Sequence, residues 1–290
     1  MQFVINGIVA GALYSLVALG FSLIFSTARF FHFAHGALYC VAAYLAYFYA
    51  SVLGWPLWVA IPCAVGGCAF LGGLVELAVY RPLRHRRASS DILLVASLGL
   101  FIALQNLISL AFGDATKLLR SGPIKEGVLF LGARITPIQI GTVIAAAICI
   151  TVLDSVLRFS GAGKKIRAVA DDSELGQILG VDTDRVVLGV FTSGSLLAGV
   201  AAILAGFDSD ITPLMGFSAL FMSVVAAIVG GVGSIGGAAL GGLLVGLTQQ
   251  FVAATLSTRW QEVCVFVLLI VFLIVRPEGI LGKPLGKAKI

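Results

Sequence analysis

Gly161-Ala-Gly-Lys-Lys165 is the stretch of this 290-residue chain closest to a phosphate-binding loop. The resemblance fails at both ends: Arg158 stands where the first glycine is needed, and Lys165 where a Ser or Thr must reach magnesium. Ser193 and Ser234 lie beside glycines, but neither sits in the Gly-x-Ser-x-Gly setting of a hydrolase nucleophile. The three histidines, His32, His35 and His85, form no recognisable pairing with a nucleophile. The five cysteines (Cys40, Cys63, Cys68, Cys149 and Cys264) lie inside apolar segments without a Cys-x-x-Cys pair, as small buried hydrophobes do. We therefore expect no covalent chemistry, no metal and no bound cofactor on this chain.

The polar segment 161–185, GAGKKIRAVADDSELGQILGVDTDR, carries a different kind of chemistry. Asp171 and Glu174 have capping-box spacing, and Asp171, Asp172 and Glu174 favour a helix N-terminus. Leu175, Ile178 and Leu179 then share one helical face, and Gly180 is a natural stop. A short amphipathic helix without a core of its own either docks on a partner or lies against its own bundle or the lipid interface. Spacing alone leaves both open.

Glycine-rich breaks supply the other candidates. GGVGSIGG (230–237) interrupts an apolar run, and His35-Gly36 follows the break at 32–36. Backbone freed from helical bonding is tolerated at membrane depth only when buried or lining a cavity. Gly230, Gly231, Gly233, Ser234, Gly236, Gly237, His35 and Gly36 are thus candidates for a translocation path. Close helix packing, which also selects small residues, is the competing explanation, and His35 is equally a structural histidine. Glu76, five residues before Arg81 near the end of its span, reads as snorkelling or paired, and Asp154 and Arg158 as an i, i+4 pair at a helix end; Gln105, Asn106, Gln249 and Gln250 read as interhelical hydrogen-bonding groups.

The elements that must position these residues are membrane helices. The chain is 59% hydrophobic and 11% charged, with a mean hydropathy of +1.07; a soluble domain carries roughly 25% charged residues. Runs long enough to span lie near 3–25, 31–53, 56–80, 92–112, 137–157, 186–206 and 259–275. The expected fold is an all-α polytopic bundle, one domain over 1–290, with about 7–8 spans and a broken segment, 218–252. The first run lacks the basic n-region of a cleaved signal and is expected to be retained.

Placing Arg29, 81–87, 158–185 and the tail residues Arg276, Lys283, Lys287 and Lys289 on one side gathers 14 of the 19 basic residues there. Lys117, Arg120, Lys125, Arg134 and Arg259 remain opposite. The richer side should be cytoplasmic, with the N-terminus outside. The tail joins it only if 218–252 returns to the face it left, so we expect a re-entrant pair of half-helices meeting at the glycines; the rival is one long broken helix that spans fully and puts the tail outside. Trp55, Trp58 and Trp260 fall at expected outer boundaries. The net charge of +5 is then a topology signal, not a nucleic-acid footprint. A weak internal echo, HGALYCVAAYLA (35–46) against GGAALGGLLVGL (236–247), hints at repeats of the kind transporters contain.

ELGQILG (174–180), a Glu followed six residues later by Gly, resembles the loop by which ABC-transporter permeases meet their ATPases. The order GALYSLVALGFSLIFSTARFFHFAHGALYCVAAY, GKKIRAVADDSELGQILGV, SGSLLAGVAAILAG, GGVGSIGGAALGG and RPEGILG resembles the shorter permease subunits of branched-chain amino acid ABC importers over nearly the whole chain. Two positions depart from that pattern: His32 stands in place of the usual Asn, and Leu175 and Gly176 replace small residues. The resemblance implies a multi-pass protein of the bacterial inner membrane working with a second permease, two ATPase subunits that bind ATP and Mg, and a periplasmic binding protein. It implies that Arg167, Asp171, Asp172, Glu174, Leu175, Ile178, Leu179 and Gly180 meet an ATPase, with Glu174 or Arg167 making polar contacts. A secondary transporter would need intramembrane acids as ion sites, which the mid-span regions lack. A channel would need a filter motif. Neither accounts for the capped polar helix.

Overall fold

The computed structural model describes residues 1–119, 127–130 and 132–282, so Arg120, Lys125, Lys283, Lys287 and Lys289 of the charge count lie outside the described residues. Among the described residues, the regular elements are helices apart from a two-stranded hairpin, β1 Val128–Phe130 paired antiparallel with β2 Ala133–Ile135. Helices satisfy their own backbone groups, which is what lipid demands of a spanning segment.

The order is α1 Gln2–Ala28, α2 Ala34–Tyr47, α3 Leu57–Val75, α4 Arg81–His85, α5 Ser90–Phe112, α6 Pro137–Phe159, α7 Gly161–Asp171, α8 Ser173–Ile178, α9 Thr183–Asp208, α10 Met215–Gly230, α11 Ile235–Thr255 and α12 Gln261–Val275. Wide π turns, Phe48–Val52 and Glu76–Tyr80, extend α2 and join α3 to α4. Among the described residues seven helices are long and apolar enough to cross a membrane, counting α3–α4 as one. The bundle is the all-α polytopic fold the hydropathy predicts.

Two expected boundaries shift. Arg29 ends α1 in a left-handed conformation (φ 58°), and α2 starts at Ala34 instead of residue 31. Phe33 cannot cap α2, so the amide of Ala34 donates to Ser97 Oγ of α5 at 3.1 Å. The third span continues past residue 80, which puts the first part of the basic cluster on a helix.

α1 and α9 are buried along most of their length, whereas α6 and α12 lie at the periphery. α1 packs on α11 in antiparallel fashion: Gly7 faces Leu247, Gly11 faces Leu243, and Ser15 lies against Gly242. Gly7, Gly11 and Ser15 on one helix, and Gly242 and Gly246 on the other, are spaced four apart, the small-residue ridge that lets membrane helices touch backbone to backbone. Ser15 Oγ donates to Gly11 O (2.7 Å) and Ala239 O (2.9 Å), so its hydroxyl is satisfied inside that contact. Tyr14 Oη donates to Gln249 Oε1 at 2.7 Å, an interhelical bond of the kind expected for Gln249.

The broken segment resolves into two helices of unequal length. After α9 the chain turns inward: Ile211 is buried and exchanges 2.9 Å backbone bonds with Lys117. α10 then begins beside the first turns of α2, with Gly36 against Gly216 and Leu220, and with Phe217 packed on Phe101 midway along α5. It ends at residues 231–234, and Gly233 N donates to Ser22 Oγ of α1 at 2.7 Å. The expectation of two half-helices holds for α10, 16 residues long, and fails for α11, whose 21 residues run the length of α1 to set Phe251 on Phe3. The reason is the glycine ridge, which extends the packing of α11 along the whole of α1. α9 and α11 both finish at the end of the bundle where α1 begins. The internal echo marks two helix starts, since α2 and α11 each open a residue before it.

Candidate functional site

Three helix starts and a turn build the end of the bundle opposite the N-terminus. Ser160 caps α7 by accepting from Gly163 N (3.0 Å), and Asp182 caps α9 by accepting from Arg185 N (3.1 Å). Asp172 caps α8, accepting from the amides of Glu174 (2.9 Å) and Leu175 (3.1 Å). The predicted cap at Asp171 is therefore displaced by one residue. Asp171 closes α7, a helix of its own, because Asp172 adopts an extended backbone (φ −153°) that separates the two. Gly180 follows at φ +82°, donating to the Gln177 carbonyl at 2.9 Å, and ends the turn where the sequence places the stop.

α8 is an apolar knob on a braced frame. Leu175, Ile178 and Leu179 are 57, 79 and 80% exposed. Gly176 is the buried residue of α8, and its carbonyl accepts from Val181 N at 2.9 Å. The frame is held from two sides. Arg167 donates to the Leu157 carbonyl, and Arg29 to the Ala170 carbonyl. Arg167, exposed on α7, reaches back to the end of α6 because the last carbonyls of a helix lack intrahelical donors.

Beside α8 lies an open cleft of about 780 Å³, lined among others by Arg29, Arg84, His85, Gln177 and Asp184. Its floor is an ion-pair cluster that sequence reasoning missed. Asp184 accepts from Arg81 Nε (3.0 Å) and Arg84 (3.3 Å), and its other contact is His85 Nε2 (2.8 Å). Arg84 also binds Glu76, whose carboxylate is buried. Glu76 therefore pairs two turns away with Arg84, not with Arg81, and the cluster ties α4 to α9. The signal available was Asp184 opening a span opposite the basic RPLRHRR run, but nothing in the spacing joined them. Asp154 and Arg158 pair within α6 as their spacing predicts (2.8 Å).

The glycine candidates are not brought to one point. Gly36 packs at the start of α10, and Gly230 at its end, backbone to backbone against Gly237. Gly233 and Gly236 are exposed, and Ser234 caps α11 by accepting from Gly237 N (3.1 Å). His35 is buried with its ring against Gly20, 5.9 Å from the ring of His32, and His32 Nδ1 lies 3.1 Å from the Tyr80 hydroxyl. Among the described residues no group of three or more His, Cys, Asp or Glu gathers as a metal site.

This arrangement offers docking and helix movement, not bond-making. The family model for the permease component of the branched-chain amino acid transport system matches residues 3–273. The chain belongs to that family. Similar proteins include the high-affinity branched-chain amino acid permease protein LivH of Escherichia coli K12, 34% identical over 98% of this chain and 96% of its own. BraD of Pseudomonas aeruginosa is 32% identical over the same shares, and a probable LivH of Methanocaldococcus jannaschii 26% identical over 98% and 93%. PsaBC from Streptococcus pneumoniae, solved in complex with a Fab, shares the fold at a TM-score of 0.55 and 10% identity, over 96% of this chain and 93% of that one. The protein is accordingly a multi-pass ABC-system permease component, a transport subunit and not an enzyme, and it works with other subunits of such a system.

Proposed function

We propose that this permease forms part of the translocation path of an importer for branched-chain or other small amino acids in the bacterial inner membrane. Its partners are a second, different permease, two ATPase subunits and a periplasmic binding protein. ATP and Mg bind the ATPase subunits, and this chain holds no cofactor. The N-terminus lies outside, and α7, α8 and the chain's C-terminus face the cytoplasm, as the basic residues Arg29, Arg81, Lys164 and Arg276 favour.

The observation that carries the reading is the exposed trio Leu175, Ile178 and Leu179 on a short helix whose every other attachment is to the bundle. Fully burying such a side chain stabilises a contact by about 1.5–3 kcal/mol before the costs of association. An ATPase groove that covers the trio gains that energy. Its closure then moves α8 with α7 as one body, and the Arg167–Leu157 and Arg29–Ala170 bonds carry the displacement to α6 and α1. Glu174, exposed beside the trio, is the polar contact available to the ATPase.

Co-expression with the ATPases, the second permease and the binding protein tests this. Two ATPase subunits should co-purify per permease pair, and proteoliposomes should take up labelled leucine only with ATP and binding protein. ATP-independent uptake driven by an ion gradient would refute it.

A further inference from the structure

The last described turn of the chain does something its position outside the final helix does not suggest. Gly279 N donates to the Arg276 carbonyl at 2.9 Å, closing the turn Arg276-Pro277-Glu278-Gly279, with proline where such turns favour it. The chain then enters the break between α10 and α11. Ile280 N donates to the Val229 carbonyl and Leu281 N to the Gly230 carbonyl, both at 2.9 Å. These are terminal carbonyls of α10, groups with no donor from their own helix. Segment 279–282 is therefore a cap for α10 supplied from elsewhere in the chain.

The fit is made of glycines. Gly231 (φ +105°) and Gly279 (φ +78°) both adopt backbone closed to ordinary side chains. A Cβ on Gly279 would lie 2.8 Å from the Ile228 carbonyl oxygen and run into the Gly231 backbone, and one on Gly231 would meet Gly282 Cα at 2.6 Å. Contact is thus backbone on backbone, with Leu281 Cδ1 resting where a Cβ on Gly236 would come within 3.3 Å. Such a joint holds by two hydrogen bonds and by the half-buried Ile280 side chain against the core, which is the side chain that must move for it to part. It sits at the same end of the bundle as α8, since Gly233 reaches Ser22 of α1 and a small cavity there is lined by Gly233, Ile235 and Leu157. α12, which carries the strap, is the most peripheral of the long helices.

We infer that Gly279–Gly282 is a strap that positions the glycine break, capping α10 in the resting state and releasing it when the ATPases close. This rests on the transport reading and assigns its moving joint to the contact between the strap and Val229–Gly231. Release would free two α10 carbonyls at the candidate path, where permeating polar groups or water can take them.

The test uses the assembled wild-type complex in lipid. Hydrogen–deuterium exchange is followed over 277–282 in the nucleotide-free state and in the state trapped with ATP and vanadate. The Ile280 and Leu281 amides should exchange about tenfold faster when trapped, with the middle of α12 unchanged; equal exchange in both states overturns the strap. In a second measurement, Val232, 36% exposed in the break, is replaced by Cys and labelled with a membrane-impermeant maleimide. Combined with Gly279→Ala, resting-state labelling should rise about fivefold as the opening equilibrium shifts, and substrate should no longer stimulate ATP hydrolysis in an intact complex. Unchanged labelling in that variant contradicts the proposal. Failure of the transport reading is distinguishable, because the wild-type complex would then show no substrate-stimulated hydrolysis at all.

Discussion

Buried charge at the end of α3 gives the sharpest energetic contrast between individual residues. Glu76 is enclosed and bound by Arg84, whereas Asp154 and Arg158 form an exposed pair. Removing one partner of a buried pair leaves a charge without compensation and costs about 3–5 kcal/mol, while exposed pairs contribute up to about 1 kcal/mol. Arg84→Ala should therefore lower the melting temperature of the purified protein markedly, Arg158→Ala hardly at all. Adding Glu76→Gln to Arg84→Ala should recover most of the loss, since the stranded charge is gone. Thermal melts of these three variants and of Glu76→Gln alone decide it; additive losses would mean the pair is not coupled.

Helices pack here through what their side chains leave out. Gly246 on α11 sits against the Gly11 backbone, and a Cβ there would come 2.6 Å from the Gly7 carbonyl oxygen. Gly246→Leu should push α1 and α11 apart and destabilise the bundle by about 1–3 kcal/mol or more, the usual cost of overpacking, seen as loss of monodisperse protein on gel filtration. Gly99 has open space around it, so Gly99→Leu should leave the profile unchanged. The same elements show what could be read in advance. Runs of about twenty apolar residues were legible because lipid thickness sets their length, as was the stop at Gly180, where only a local φ is at issue. The length of α11 was not, because it depends on glycines meeting across α1, more than two hundred residues away in sequence. Nor was the Asp172 cap, because Asp171 and Asp172 are equally good caps by type and the choice falls to where α7 ends. The Glu76–Arg84–Asp184 cluster, of which Glu76 is buried, was hidden for the same reason as α11: its members come from two helices whose contact no spacing encodes.

At the scale of the whole molecule, one end is built to be gripped. The N-terminal ends of α8 and α9, the basic helix α4 and the strap on α10 all gather there, and among them α8 leaves the apolar trio Leu175, Ile178 and Leu179 uncovered. The bundle transmits displacement because α7 and α8 are tied to α6 and α1 by arginines bound to main-chain carbonyls, and α9 to α4 by Asp184. Substrate-stimulated ATP hydrolysis by the assembled complex, wild type against Ile178→Asp/Leu179→Asp, tests this most directly. Both side chains are largely exposed, so their replacement leaves the fold of this chain alone and acts on what it touches. The account predicts that this chain still melts like wild type while ATPase subunits dissociate or stimulation falls at least about tenfold, a loss of roughly 1.4 kcal/mol or more in coupling. Full stimulation with the ATPases retained would contradict it and move the coupling surface elsewhere on the bundle.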